Sequence, residues 1–77
     1  MNPEEQKVLE QLRREIDIFA AVDVRPETVL QSLPHWDSLA ILLVIQHAEV
    51  SYGLTLSGTQ IRKCHTLQDL LQLLLSR

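Results

Sequence analysis

Apolar residues at Val8, Leu9, Leu12, Ile16 and Phe19 recur at helical spacing, while Glu5, Lys7, Glu10, Arg13, Arg14 and Asp17 fill the other faces. This pattern predicts an amphipathic helix with one buried stripe and a solvated face of charges. Asn2 is suited to cap it, Pro3 is tolerated at the first helical position, and Glu4 and Glu5 lie near the positive end of the helix dipole. The helix is therefore predicted to begin at Pro3. From residue 20 to residue 36 the period fades, and Pro26 and Pro34 each forbid a continuous helix. Val22, Val24, Val29, Leu30 and Leu33 can pin this long connection over a bundle, with a short helical turn expected at residues 26–30.

Asp37 starts a second helix, predicted to run to about Tyr52, where Gly53 ends it in a left-handed stop. Ile41, Leu42, Ile45, Ala48 and Tyr52 read as its core stripe. Leu39, Leu43 and Val50 form a second apolar stripe rotated away from the first, so the helix has more hydrophobic surface than one core contact uses. After a short extended stretch, Leu54-Thr55-Leu56, Ser57 caps a brief third helix of about residues 58–63. Thr66-Leu67-Gln68-Asp69 has a capping-box pattern, and Leu70, Leu71, Leu73, Leu74 and Leu75 follow it. The last helix is expected from Leu67 nearly to the end. The class is all-α, with a long loop between the first and second helices and a short third helix.

Length and composition narrow the picture. The 77 residues read as a single domain, 1–77, with one core and little room for catalytic machinery. A 45% hydrophobic chain with one Phe, one Trp and one Tyr has an aliphatic core, and two glycines disfavour a turn-rich β architecture. The single Cys64 excludes an intrachain disulfide and agrees with a reducing, cytoplasmic setting. Residues 1–14 do not read as a signal peptide, and the longest apolar run, 39–45, falls short of the roughly 20 residues a membrane span needs. A formal charge of −3 disfavours nucleic acid as a partner. Seven of the ten acids lie in residues 1–36, so the second half of the chain, with three acids and three bases, is neutral.

Within that neutral half, Asp37-Ser38-Leu39 places a serine in the first turn of an apolar helix, directly after a capping Asp. Here the chain resembles the acyl carrier proteins. The likeness covers nearly the whole length and includes the aromatic Tyr52 after the long helix, the aliphatic Leu56 four residues on, and the final capped helix. It implies a four-helix bundle of acyl carrier protein type in which Ser38 receives a 4′-phosphopantetheine arm from coenzyme A, with Asp37 beside the arm. The implied protein is not an enzyme. It is a cytoplasmic monomer that carries acyl or aminoacyl groups as thioesters, and its partners are a phosphopantetheinyl transferase and then a ligase, acyltransferase or synthase. The positive helix end, with its free N–H groups, is expected to favour the phosphodiester.

Two departures from the family pattern carry expectations of their own. The family commonly has Gly two residues before its Asp, where this chain has His35, so the loop Leu33-Pro34-His35-Trp36 is expected to turn by another route. Many carrier proteins have an acidic helix after the serine that meets basic patches on enzymes, whereas Ala40, Leu43 and Val50 stand at such positions here. Leu39, Ala40, Leu43 and Val50 are therefore the expected partner interface, less electrostatic than usual, and a specialised pathway is implied over bulk fatty-acid synthesis.

Other chemistry is less well supported by the residues. His35, Asp37, Ser38 and His47 contain the groups of a serine hydrolase but lack a G-x-S-x-G turn or an evident oxyanion hole. Cys64 and His65 lack a second pair with metal-ligand spacing, and Cys64 reads as a small core residue at the end of the third helix. Trp36 is expected to staple its loop to the bundle, and His47 to lie exposed on the second helix. The rival from another class is an unmodified helical module that binds one partner protein through its surplus apolar surface.

Overall fold

The computed structural model describes residues 3–20 and 23–75, so the expected cap Asn2 and the loop residue Val22 lie outside the described residues. Five α-helices and one 3-10 turn make up the regular structure there, with no strand among the described residues. They are α1 (Pro3–Glu15), α2 (Asp17–Ala20), the 3-10 turn (Leu30–Ser32), α3 (Ser38–Tyr52), α4 (Gly58–Arg62) and α5 (Leu67–Leu75). The protein is all-α.

The first predicted helix is two elements. At Ile16 the hydrogen bonding changes register: its N–H donates to Leu12 O at 2.8 Å, but its own carbonyl accepts from Phe19 N, three residues on, at 3.1 Å. The chain tightens there from α to 3-10 pairing and re-enters as α2. The buried stripe is as read, since Val8, Leu9, Leu12, Ile16 and Phe19 are all in the core. One charge read as solvated is not. Glu5 is buried, and its carboxylate accepts a hydrogen bond from the Gln68 side chain of α5. α1 packs along α5, and α4 packs on α3.

The long connection is held by backbone bonds to the start of α5. Thr28 O accepts from Leu67 N at 2.9 Å, Pro26 O accepts from Gln68 N at 2.8 Å, and Leu30 N donates to His65 O at 3.0 Å. Val29 and Thr66 thus form an isolated antiparallel bridge. The first-turn N–H groups of α5, which no helix can satisfy internally, find their acceptors in this loop. The capping box completes that end: Asp69 Oδ2 accepts from Thr66 N at 3.1 Å, and Thr66 Oγ1 accepts from Asp69 N at 3.3 Å. The helical turn expected at residues 26–30 falls instead at Leu30–Ser32, because the carbonyls of Pro26 and Thr28 are committed to α5.

The face that α3 turns inward differs from the sequence reading. Ala40, Ile41, Val44, His47 and Ala48 are buried, whereas Leu42 is 54% exposed, and Ile45 and Tyr52 are half-buried against the edge of the core. Apolar residues surround this helix, so the pattern alone does not select a face. The structure turns the small Ala40 and Ala48 inward, where a neighbouring backbone can approach closely. Gly53, at φ 66° and ψ 22°, ends α3 in the left-handed conformation, and the adjoining Leu54 N donates to Ala48 O at 3.2 Å.

Candidate functional site

Ser38 is the first residue of α3, and its exposure follows from how the chain enters that helix. Leu33 is buried and anchors the loop, and its carbonyl accepts from Trp36 N at 3.4 Å. Between them His35 takes φ 63°, a left-handed conformation that a histidine adopts at some cost and a glycine at none. The loop therefore does not avoid the turn for want of a glycine; His35 makes it. Trp36 is half-buried with its ring edge-on to Phe19, which is the stapling role expected of it.

Asp37 then caps α3 in an extended conformation. Its Oδ1 accepts from Leu39 N at 3.0 Å and from Ala40 N at 3.1 Å. These N–H groups were expected to be free for an anion, and the Asp37 carboxylate occupies them instead. Ser38 is exposed, and its hydroxyl has no hydrogen-bond partner among the described residues.

Beside the hydroxyl lies a cavity of about 380 Å³. Trp36, Asp37, Ser38 and Ile41 form one wall, and Gln31 from the 3-10 turn, Arg62 from α4 and Cys64 complete it. Asp37 also borders a second cavity, of about 310 Å³, lined by Ile18, His35, Leu39, Ala40 and Leu43. Arg62, Gln31 and Cys64 come to Ser38 from distant parts of the chain, and no spacing in the sequence places them there.

The outward apolar set is smaller than expected. Leu39 is 64% exposed, Leu43 39% and Val50 84%, but Ala40 is 1% exposed and belongs to the core side of α3. Ala40 follows Leu39 by about 100° around the helix, enough to carry it from solvent to the interior.

His47 is buried, contrary to the exposed position expected for it. Its Nδ1 lies 3.4 Å from Ser51 Oγ, its ring is edge-on to Tyr52 at 5.6 Å, and its Nε2 is buried without a partner among the described residues. Burial lowers the imidazole's affinity for a proton, and Glu15 opposes this in part. His47 lies nine positions after Ser38 along one helix, roughly 13 Å away, so the structure does not assemble them into a hydrolase triad.

Cys64 is half-buried, and its Sγ–H donates to Gln60 O at 3.6 Å. Burial, and then the nearby Asp69 charge, push its pKa up and keep it a thiol. No group of three His, Cys, Asp or Glu side chains able to hold a metal occurs among the described residues. None of their helices is long and apolar enough to cross a membrane.

A phosphodiester on Ser38 Oγ fits this setting: the hydroxyl has no partner among the described residues, and the adjoining cavity is lined by one cation, Arg62. No family model, curated protein or solved structure matches the chain.

Proposed function

We propose that the chain is an acyl carrier protein that bears a 4′-phosphopantetheine arm on Ser38 and presents acyl or aminoacyl thioesters to partner enzymes of a specialised biosynthetic pathway. The observation that carries this reading is the free Ser38 hydroxyl, held at the start of a 15-residue helix by the Asp37 cap and flanked by a cavity. In this reading α1, α3, α4 and α5 are the four helices of a carrier bundle, with α2 a continuation of the first.

Attachment is a phosphoryl transfer. Ser38 Oγ attacks the coenzyme A phosphorus nearest the pantetheine, a P–O bond forms, and the bond to the leaving adenosine 3′,5′-bisphosphate breaks. The Ser38 proton goes to a base of the transferase. The chain's own residues hold the hydroxyl clear of the core and fix its direction: Asp37 by capping the turn, and Trp36 by tethering the loop. Thioester chemistry is supplied by the arm once attached. Partners are a phosphopantetheinyl transferase and a loading ligase, acyltransferase or synthase, which would meet Leu39, Leu43 and Val50. The working state is a cytoplasmic monomer.

The test is intact mass after incubation with coenzyme A and a broad-specificity transferase. The wild type should gain one arm and Ser38→Ala none. A wild type that stays unmodified while a control carrier is converted by the same transferase would favour the second reading, a module that binds a partner through the exposed Leu39, Leu42, Leu43 and Val50. An alanine variant that gains the same mass would place the attachment elsewhere.

A further inference from the structure

The charge balance at Ser38 is unfavourable to an anion. The positive end of α3 amounts to about half an elementary charge, and the Asp37 carboxylate placed on it carries a full negative one. A phosphodiester attached to Ser38 adds another negative charge at the same place, so the helix end by itself gives it no net attraction. The one cation lining the adjoining cavity is Arg62.

Arg62 is set there by firm local structure. Ser57 and Gln60 close a capping box at the start of α4: Ser57 Oγ accepts from Gln60 N at 3.2 Å, and Gln60 Oε1 accepts from Ser57 N at 2.9 Å. Ile61 is fully buried and fixes the rotation of this short helix, and Arg62 lines the cavity. It makes no ion pair among the described residues. Arg62 is also the basic residue in the last turn of α4, where the dipole favours a cation, and of it and the adjoining Lys63 at the C-cap only Arg62 lines the cavity.

The geometry points to Arg62 as the residue that holds the phosphodiester of the Ser38-linked arm. A guanidinium offers paired N–H donors that match two phosphate oxygens, which an ammonium cannot do. Gln31, in the same cavity, offers an amide donor. Pairing at the root of the arm turns it toward α4 and away from the second cavity on the Leu39 side. The apolar carbons that follow the phosphate then run over Ile41 and Cys64. This proposal rests on Ser38 being the attachment point.

The experiment compares wild type, Arg62→Lys and Arg62→Gln, each converted by a transferase and checked by intact mass, with circular dichroism as a control for folding. The ³¹P resonance of the arm and the Arg62 Nε–H resonance are then recorded by NMR. On conversion the wild-type Nε–H should shift downfield. The ³¹P resonance should differ between wild type and Arg62→Gln, with Arg62→Lys between them, and raised ionic strength should move wild type toward the glutamine variant. Apo protein titrated with inorganic phosphate separates the two sources of the anion. An Nε–H shift with phosphate alone, and none on conversion, would mean that the cavity takes a free phosphate and would overturn the proposal. So would equal ³¹P resonances in all three holo proteins. A wild type that gains no mass removes the carrier reading and this proposal together, so the mass spectrum distinguishes that failure from the others.

Discussion

Trp36 stands edge-on to Phe19, with ring centroids 6.0 Å apart and planes at 67°, and so ties the residue just before the Asp37 cap to the fully buried centre of α2. The pair is the main aromatic contact between the loop that delivers Ser38 and the first half of the chain. Removing a fully buried aromatic costs about 3 to 5 kcal/mol, and a half-buried one roughly half of that. Trp36→Ala should therefore lower stability by about 2 kcal/mol in urea unfolding and slow arm attachment more than Trp36→Phe does. Equal attachment rates in both variants would show that the loop holds its shape without the contact.

Ala40 and Leu43 make a paired test of which face of α3 is inward. Ala40→Glu buries a charge in the core and should cost at least about 3 kcal/mol, or prevent folding. Leu43→Glu should leave the circular dichroism spectrum and melting temperature nearly unchanged while weakening loading by the cognate enzyme. If that surface is met through apolar contact, wild-type loading should also vary little with ionic strength. A steep loss of loading in salt would assign recognition to charge instead.

His35 holds a left-handed conformation that costs an ordinary side chain about 1 to 2 kcal/mol and glycine nothing. His35→Gly should be neutral or stabilising by up to about 1 kcal/mol, and His35→Val, branched at Cβ, should be destabilising. The check is the midpoint of chemical unfolding for both variants. A destabilised glycine variant would mean that the imidazole contributes contacts worth more than the backbone cost.

Acid should act on the fold in two stages. His47 releases its proton more readily when folded than at its ordinary value of 6.5, because it is buried. The unfolded chain therefore binds more protons just below that value, and stability falls as pH drops from 6.5 toward the lower folded pKa. Asp69 is held below its ordinary 3.8, first by hydrogen bonds from the backbone N–H groups of Thr66 and His65. Its contribution is present above 3.8 and is lost as pH falls further. Melting temperatures from pH 8 to pH 3 should show both declines; His47→Gln should remove the first and Asp69→Asn the second. A His47→Gln variant with the wild-type decline between pH 7 and 5 would assign that stage to another group.

The ends of the elements were legible in the sequence because caps are local. Asp37, Gly53, Ser57 and the Thr66–Asp69 box each act within three or four residues of themselves and stand where the pattern put them, and Gln60 completes a further box at Ser57. The inward face of α3 was not legible, since a helix apolar on all sides takes its orientation from its neighbours. The break at Ile16 was hidden for a related reason: the stripe Leu12, Ile16, Phe19 keeps the same residues buried whether or not the helix is continuous. Glu5 and Arg62 gain their surroundings from residues far away in the chain, Gln68 in one case and Ser38 in the other, and no short-range pattern encodes such meetings.

The backbone bonds between Pro26 and Gln68, and between Thr28 and Leu67, bear on the order of folding. The N–H groups of Leu67 and Gln68 lack acceptors until the segment around Pro26 and Thr28 has been laid beside them, and the packing of α1 on α5 waits on that helix. Completing the start of α5 therefore requires closure of the loop spanning residues 28–67. Such distant closure slows assembly relative to a bundle joined only by short hairpins. It also means that nicking the backbone between residues 23 and 29 should loosen the carboxy-terminal helix before it disturbs Ser38.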